Sequence, residues 1–127
     1  MASIFELEQP SFGRHSSGKL LLAATDAATT LSAAQSVGSI VTMTPTAARA
    51  ITTPVAADII TELGPQSQVG QTWEVSVVNL ASATHAITFT AGATGVTVVG
   101  SATVAAATGG TFTGRLASAT TVVFYRA

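Results

Sequence analysis

The chain has 127 residues, no cysteine and a formal net charge of −1. That length fits one domain with a modest core, and the lack of cysteine removes disulfides, thiolate metal sites and thiol nucleophiles. Its basic residues, Arg14, Lys19, Arg49, Arg115 and Arg126, are scattered along the sequence, which argues against a nucleic-acid partner, because phosphate neutralisation needs a concentrated patch.

Two further properties narrow the class. The longest bulky apolar run, Leu20-Leu21-Leu22-Ala23-Ala24, falls far short of the ~20 residues of a membrane-spanning helix, and the acidic start Met1 to Glu8 carries no signal-peptide pattern. Charged residues make up 9% of the chain, against about 25% in an average protein. A monomer of 12.7 kDa exposes about 6,000 Å². Either threonine and serine solvate this surface, or part of it faces protein, and we expect a homo-oligomer or a subunit of a larger assembly.

Residues 1–24 read as an N-terminal arm, and 25–127 as a β-domain. The arm lacks a sustained period. Pro10, Gly13 and Ser16-Ser17-Gly18 are turn chemistry, while Ile4, Phe5, Leu7 and Phe12 are apolar anchors. Such an arm either docks on a neighbour or frays. Residues 20–31 contain a short strand or extended run. Ser32 to Ser36 is one helical turn or a loop, with Ser32 a candidate N-cap, and Gly38 ends it. Ser39–Met43 is a strand closed by Pro45, and Arg49–Thr52 is another.

The helix signal lies at 54–63. Thr53 caps, Pro54 takes the first helical position, and Gly64-Pro65 terminates. Val55, Ile59 and Leu63 recur every fourth residue, with Ala56 and Ile60 beside them. Next comes the cleanest strand. In Thr72-Trp73-Glu74-Val75-Ser76-Val77 the apolar residues, including the only Trp, point one way and the polar residues the other. The small polar run 81–84 reads as a turn and Ile87 with Phe89 as the return, giving a central hairpin. Val96–Val99, Thr111–Leu116 and Thr121–Arg126 are further strands, separated by the turn glycines Gly92, Gly95, Gly100 and Gly109-Gly110. Strands at this spacing predict a mainly β fold, an antiparallel sandwich or barrel-like domain with one short helix.

Chemistry is sparse. His15 and His85 lack a histidine or carboxylate at ligand spacing. Asp58 and Glu62 lie one turn apart, as a solvated face or as partners of Arg49. No nucleophile elbow or phosphate-binding glycine pattern occurs. We expect no enzyme, no metal and no cofactor. Arg115 and Arg126 fall on the outer parity of their strands and are candidates, with Glu74, for an oligomer interface. Ile4, Phe5, Leu7, Phe12 and Arg14 are candidates for contact with a partner.

The succession of Leu31-Ser32-Ala33-Ala34-Gln35, Ala50-Ile51-Thr52-Thr53-Pro54, Gly70-Gln71-Thr72-Trp73-Glu74-Val75, Val77-Val78-Asn79, His85-Ala86-Ile87-Thr88-Phe89, Gly95-Val96-Thr97-Val98-Val99-Gly100 and Gly110-Thr111-Phe112 resembles the small decoration (cement or head) proteins of tailed bacteriophages, over residues 25–127. The resemblance implies a β-sandwich or tulip-like domain, commonly trimeric, bound to the major capsid protein on the outside of the icosahedral shell, where it clamps neighbouring capsomers. It brings no catalytic or ligand residues. In that setting the arm anchors are shell-contact candidates. The alternatives are a trimeric fibre, knob or baseplate module, which occurs at few copies per particle, and a carbohydrate-binding surface module, which needs exposed aromatics in a groove.

Overall fold

The computed structural model describes residues 20–126, and within them the chain is mainly β. In order the elements are β1 (Leu20–Ala23), β2 (Thr29–Thr30), α1 (Ala33–Ser36), β3 (Ser39–Met43), β4 (Arg49–Thr52) and α2 (Ala56–Leu63), then β5 (Thr72–Asn79), β6 (Ile87–Thr90), β7 (Val96–Val99), β8 (Thr103–Val104), β9 (Gly109–Leu116) and β10 (Val122–Arg126). Odd-numbered strands and β10 build a six-stranded sheet in the order β1-β3-β5-β9-β10-β7. The other four build a second sheet in the order β2-β4-β6-β8.

The first six strands therefore wind as a coil, each step crossing to the opposite sheet. β1, β3 and β5 are parallel neighbours, as are β2, β4 and β6. Parallel neighbours need a long crossover, and here the crossover is a strand of the other sheet. Only β5–β9, β9–β10 and β6–β8 pair antiparallel among the described strands. This corrects the expectation of an antiparallel domain, and it removes the central hairpin. β5 and β6 lie in different sheets. Alternation assigns the face of a strand but not its partner, and the connection 80–86 contains none of the Asn-Gly or Gly-rich chemistry that a tight hairpin turn requires. The expected arm boundary also falls past β1, because Leu20 to Ala23 pair with Ser39 to Thr42.

One core joins the two sheets. Val41, Val75, Val77, Phe112, Val122 and Phe124 from the first meet Ile51, Ile87, Phe89 and Val104 from the second, all buried. Phe89 stacks on Phe112 with ring centroids 4.2 Å apart and meets Phe124 edge-on at 5.3 Å. Such aromatic pairs add about 0.5–1.5 kcal/mol beyond the area they bury.

Topology gives the domain two chemically different ends. Crossings from the second sheet to the first carry both helices. α1 is closed by a capping box, in which Gln35 N–H donates to Ser32 Oγ and Ser32 N–H donates to Gln35 Oε1. α2 is shorter than expected. Val55 sits at its N-cap without a side-chain hydrogen bond. The hydroxyl of Thr53, expected to cap, instead donates to Pro54 O and accepts from Gly92 N–H. Gly64 ends the helix at φ 92°, as its position predicts. Ala56 and Ile59 enter the core, with Ile60 and Leu63 packed against it. The crossings that run from the first sheet to the second, from β1 to β2, β3 to β4 and β5 to β6, lie at the opposite end, the polar end, where Asp26, Arg49 and Asn79 make their side-chain hydrogen bonds.

Candidate functional site

At the polar end, three side chains tie the crossing loops together. Asp26, between β1 and β2, accepts from Arg49 Nε at 2.8 Å, from Thr46 N–H at 3.2 Å and from the Thr46 hydroxyl at 2.6 Å. The Arg49 hydrogen bond, followed by those of Thr46, holds the Asp26 carboxyl down from 3.8 to about 2. Arg49 is thus the partner of Asp26, while Asp58 and Glu62 lie on the exposed face of α2. Sequence reasoning missed this cluster because Asp26, on the crossing from β1 to β2, and Arg49, at the start of β4, are 23 residues apart. The local signal was a lone aspartate within a run of threonine and alanine.

Asn79 holds the next crossing. Its side chain is 1% exposed. Nδ2 donates to His85 O at 2.9 Å and Val104 O at 3.0 Å, and Oδ1 accepts from Ala81 N–H at 3.0 Å. His85 adopts φ 80° there, a left-handed conformation unusual for a residue other than glycine. It is a linker residue bound through its carbonyl.

Arg126 is the third. Its parity is that of the buried Val122 and Phe124, which corrects the expected outward placement. The guanidinium lies 5.5 Å from the Phe112 ring centroid and donates to Thr103 O at 2.6 Å and Ser101 O at 3.3 Å. Gly110, expected in a turn, is inside β9 because this guanidinium occupies the space above it. A Cβ there would stand 2.7 Å from Arg126 Cζ. Arg126 locks the second sheet to the first.

The outer faces of the sheets differ. On the second sheet, Thr30, Thr52 and Thr90 fall in one row and Ala50, Thr88 and Thr103 in the next, a short-chained polar surface without charge. On the first sheet, the outward row positions are Leu21, Ile40, Val78, Val123, Tyr125 and Val99, with Thr72, Glu74, Ser76, Thr111, Thr113 and Arg115 between them. Leu21 is 70% exposed, Val99 46% and Tyr125 38%. Glu74 and Arg115 share this face on adjacent strands, one diagonal apart, as Glu74 sits opposite Thr113 and Arg115 opposite Thr72. Of the three interface candidates, the structure brings these two together and sets Arg126 aside. Ile4, Phe5, Leu7, Phe12 and Arg14 lie outside the described residues.

Concave features are shallow. Gln66, Gln68, Val69, Gly70 and Gln71 surround an open depression, and Val55, Ala56, Ile60, Thr94 and Thr120 line an apolar groove of about 360 Å³ beside α2. Trp73 is not laid open in either. Its indole covers Gly114, donates from Nε1 to Ser36 O at 3.1 Å and meets Phe124 edge-on at 6.0 Å. Among the described residues, no group of three or more histidines and carboxylates is placed to hold a metal, and no helix is long and apolar enough to cross a membrane.

No family model, no curated protein and no solved structure matches the chain.

Proposed function

We propose that this chain is a structural virion protein that decorates the outside of an icosahedral phage capsid and cements contacts between capsomers, with the major capsid protein and further copies of itself as partners. The finer reading of the fold, two faced sheets as a tulip-like sandwich, belongs to the same proposal, as does the trimer implied by the resemblance. One observation carries it. The polar side chains at the crossings, Asp26, Arg49, Asn79 and Arg126, are bonded within the chain, while a sheet face with exposed apolar side chains is turned outward. Such a molecule is a rigid block with a surface suited to protein. Many weak contacts repeated over a lattice then give large avidity. The arm anchors Ile4, Phe5, Leu7 and Phe12, with Arg14, supply the contact with the shell.

Quantitative mass spectrometry of purified particles tests this. A copy number equal to the main shell protein, or a fixed large fraction of it, is expected. A handful of copies per particle indicates a fibre or baseplate module instead, and absence from particles refutes a virion role. Within the full chain, Phe5→Asp with Phe12→Asp abolishes shell binding if the arm is the contact.

A further inference from the structure

Among the described strands, β1 is an edge of the six-stranded sheet, with β3 as its neighbour. Leu20 N–H donates to Gly38 O at 3.1 Å and Ala24 N–H donates to Thr42 O at 2.8 Å. In a parallel pair every second residue turns its N–H and C=O toward the neighbouring strand, so Leu20, Leu22 and Ala24 face β3. Leu21 and Ala23 turn theirs away from the sheet. Among the described residues these backbone groups meet no partner. The strand, Leu20-Leu21-Leu22-Ala23, carries no lysine or proline to blunt the edge, and Leu20 and Leu21 are largely exposed.

We infer that β1 pairs with β1 of a second copy, antiparallel, about a two-fold axis that passes beside Leu22. The free groups set the register. Leu21 of one chain and Ala23 of the other exchange both N–H···O bonds, and the symmetry repeats that exchange, so the outward donors and acceptors of both strands are satisfied together. Leu22 then stands opposite its own counterpart in the non-hydrogen-bonded position, with Cα atoms about 4.5 Å apart. An edge complementary to itself is what a two-fold interface requires. The opposite edge, β7, is less suited. Its Val96 and Val98 are already packed against the core, and Gly95 and Gly100, at φ 79° and 94°, end its extended run on both sides. The β1 contact covers on the order of several hundred Å², below the ~1,200 Å² of a stable complex. The pair is therefore weak by itself and gains strength where copies are already held side by side. The inference goes beyond the decoration reading and does not rest on it.

The chain has no cysteine, so one introduced thiol reports the register. In the full chain, Leu22→Cys is expected to give a disulfide-linked pair on air oxidation, because its two copies meet on the axis within disulfide reach. Leu20→Cys places its copies four residues apart along the strands, about 13 Å, beyond that reach. Random collision predicts the reverse order, since Leu20 is the more exposed of the two. Adding Ala23→Pro to Leu22→Cys removes a donor that the neighbour needs but no bond inside the chain. It is expected to lower the linked fraction about tenfold or more, with circular dichroism to verify folding. Amide exchange on the parent chain gives a second reading, in which Leu21 and Ala23 N–H exchange more slowly as the concentration rises. Overturning results are Leu20→Cys linking as readily as Leu22→Cys, linkage unaffected by Ala23→Pro, or Leu21 and Ala23 amides that exchange at one rate at every concentration, as they do if the chain's own residues 1–19 cover the edge. The particle copy number is read separately, so failure of this pairing is distinguishable from failure of the decoration role.

Discussion

Replacing Asn79 with alanine removes three hydrogen bonds at the crossing from β5 to β6. It leaves Val104 O and Ala81 N–H without their buried partner, and His85 O without a partly buried one. Each buried group stripped in this way costs about 1–3 kcal/mol, so the loss is on the order of 2–5 kcal/mol, against a typical total stability of about 5–15 kcal/mol. Asn79→Asp sharpens the test. The carboxylate still accepts from Ala81 N–H, but it donates nothing and faces two carbonyl oxygens, which raises its folded-state pKa. The sign follows from that shift. The aspartate variant is most stable below the ordinary carboxylate range and loses stability as the pH rises from about 4 toward neutrality. Equilibrium urea unfolding, followed through Trp73 fluorescence at pH 4 and pH 7, measures both effects. An alanine variant within about 1 kcal/mol of the parent refutes the account of this crossing, as does an aspartate variant equal to the parent at pH 7.

Three other substitutions probe separate features. On Gly114 a Cβ would fall within the Trp73 indole, against Cε2 and Nε1. Gly114→Ala is therefore expected to cost about 1–3 kcal/mol and to shift the emission of the sole tryptophan, and unchanged emission counts against this packing. The Ser39 hydroxyl is buried without a hydrogen-bond partner, so Ser39→Ala holds or raises stability by up to about 1 kcal/mol; a drop in thermal midpoint contradicts it. The Asp26 pKa is depressed to about 2, so the stability it contributes is present above 3.8 and is lost as the pH falls toward 2. Asp26→Asn flattens that acid limb in urea titrations between pH 5 and pH 2, and an unaltered limb rules the clamp out.

Local signals in the sequence reached the elements but not their partners. Alternation placed Trp73, Val75 and Val77 on the inward face of β5, and Gly64 marked the end of α2, because both depend on neighbouring residues alone. Strand pairing is non-local, and the coil through two sheets leaves no trace in the period of any single strand. The glycines show the same limit. Gly109 and Gly110 resemble a turn, yet they continue β9, because the space above Gly110 belongs to Arg126, distant in sequence. Arg126 was misplaced for the complementary reason. A charge at the end of a strand suggests the outer face, but its long side chain covers Phe112 while its head reaches the carbonyls of Thr103 and Ser101.

The sheet edges bear on the assembly. A soluble monomer usually guards its edges with lysine, proline or a bulge. Among the described residues, the first sheet ends in Leu20-Leu21-Leu22-Ala23 on one side and Val96-Thr97-Val98-Val99 on the other, without charge or proline in either strand, and Leu20 and Leu21 are 71% and 70% exposed. The second sheet escapes the problem by brevity, because its edge strands β2 and β8 are two residues each. Unguarded edges confined to one sheet, around a face that also carries exposed apolar side chains, favour a chain that functions in a covered state. In the decoration reading, neighbouring copies or the shell provide that cover. A free chain, held dilute and away from particles, is then expected to aggregate through the first sheet, and Leu21→Lys, which guards β1 with a charge, suppresses that aggregation in static light scattering. Aggregation that persists unchanged in this variant, or that instead responds to Thr88→Lys on the second sheet, refutes the argument.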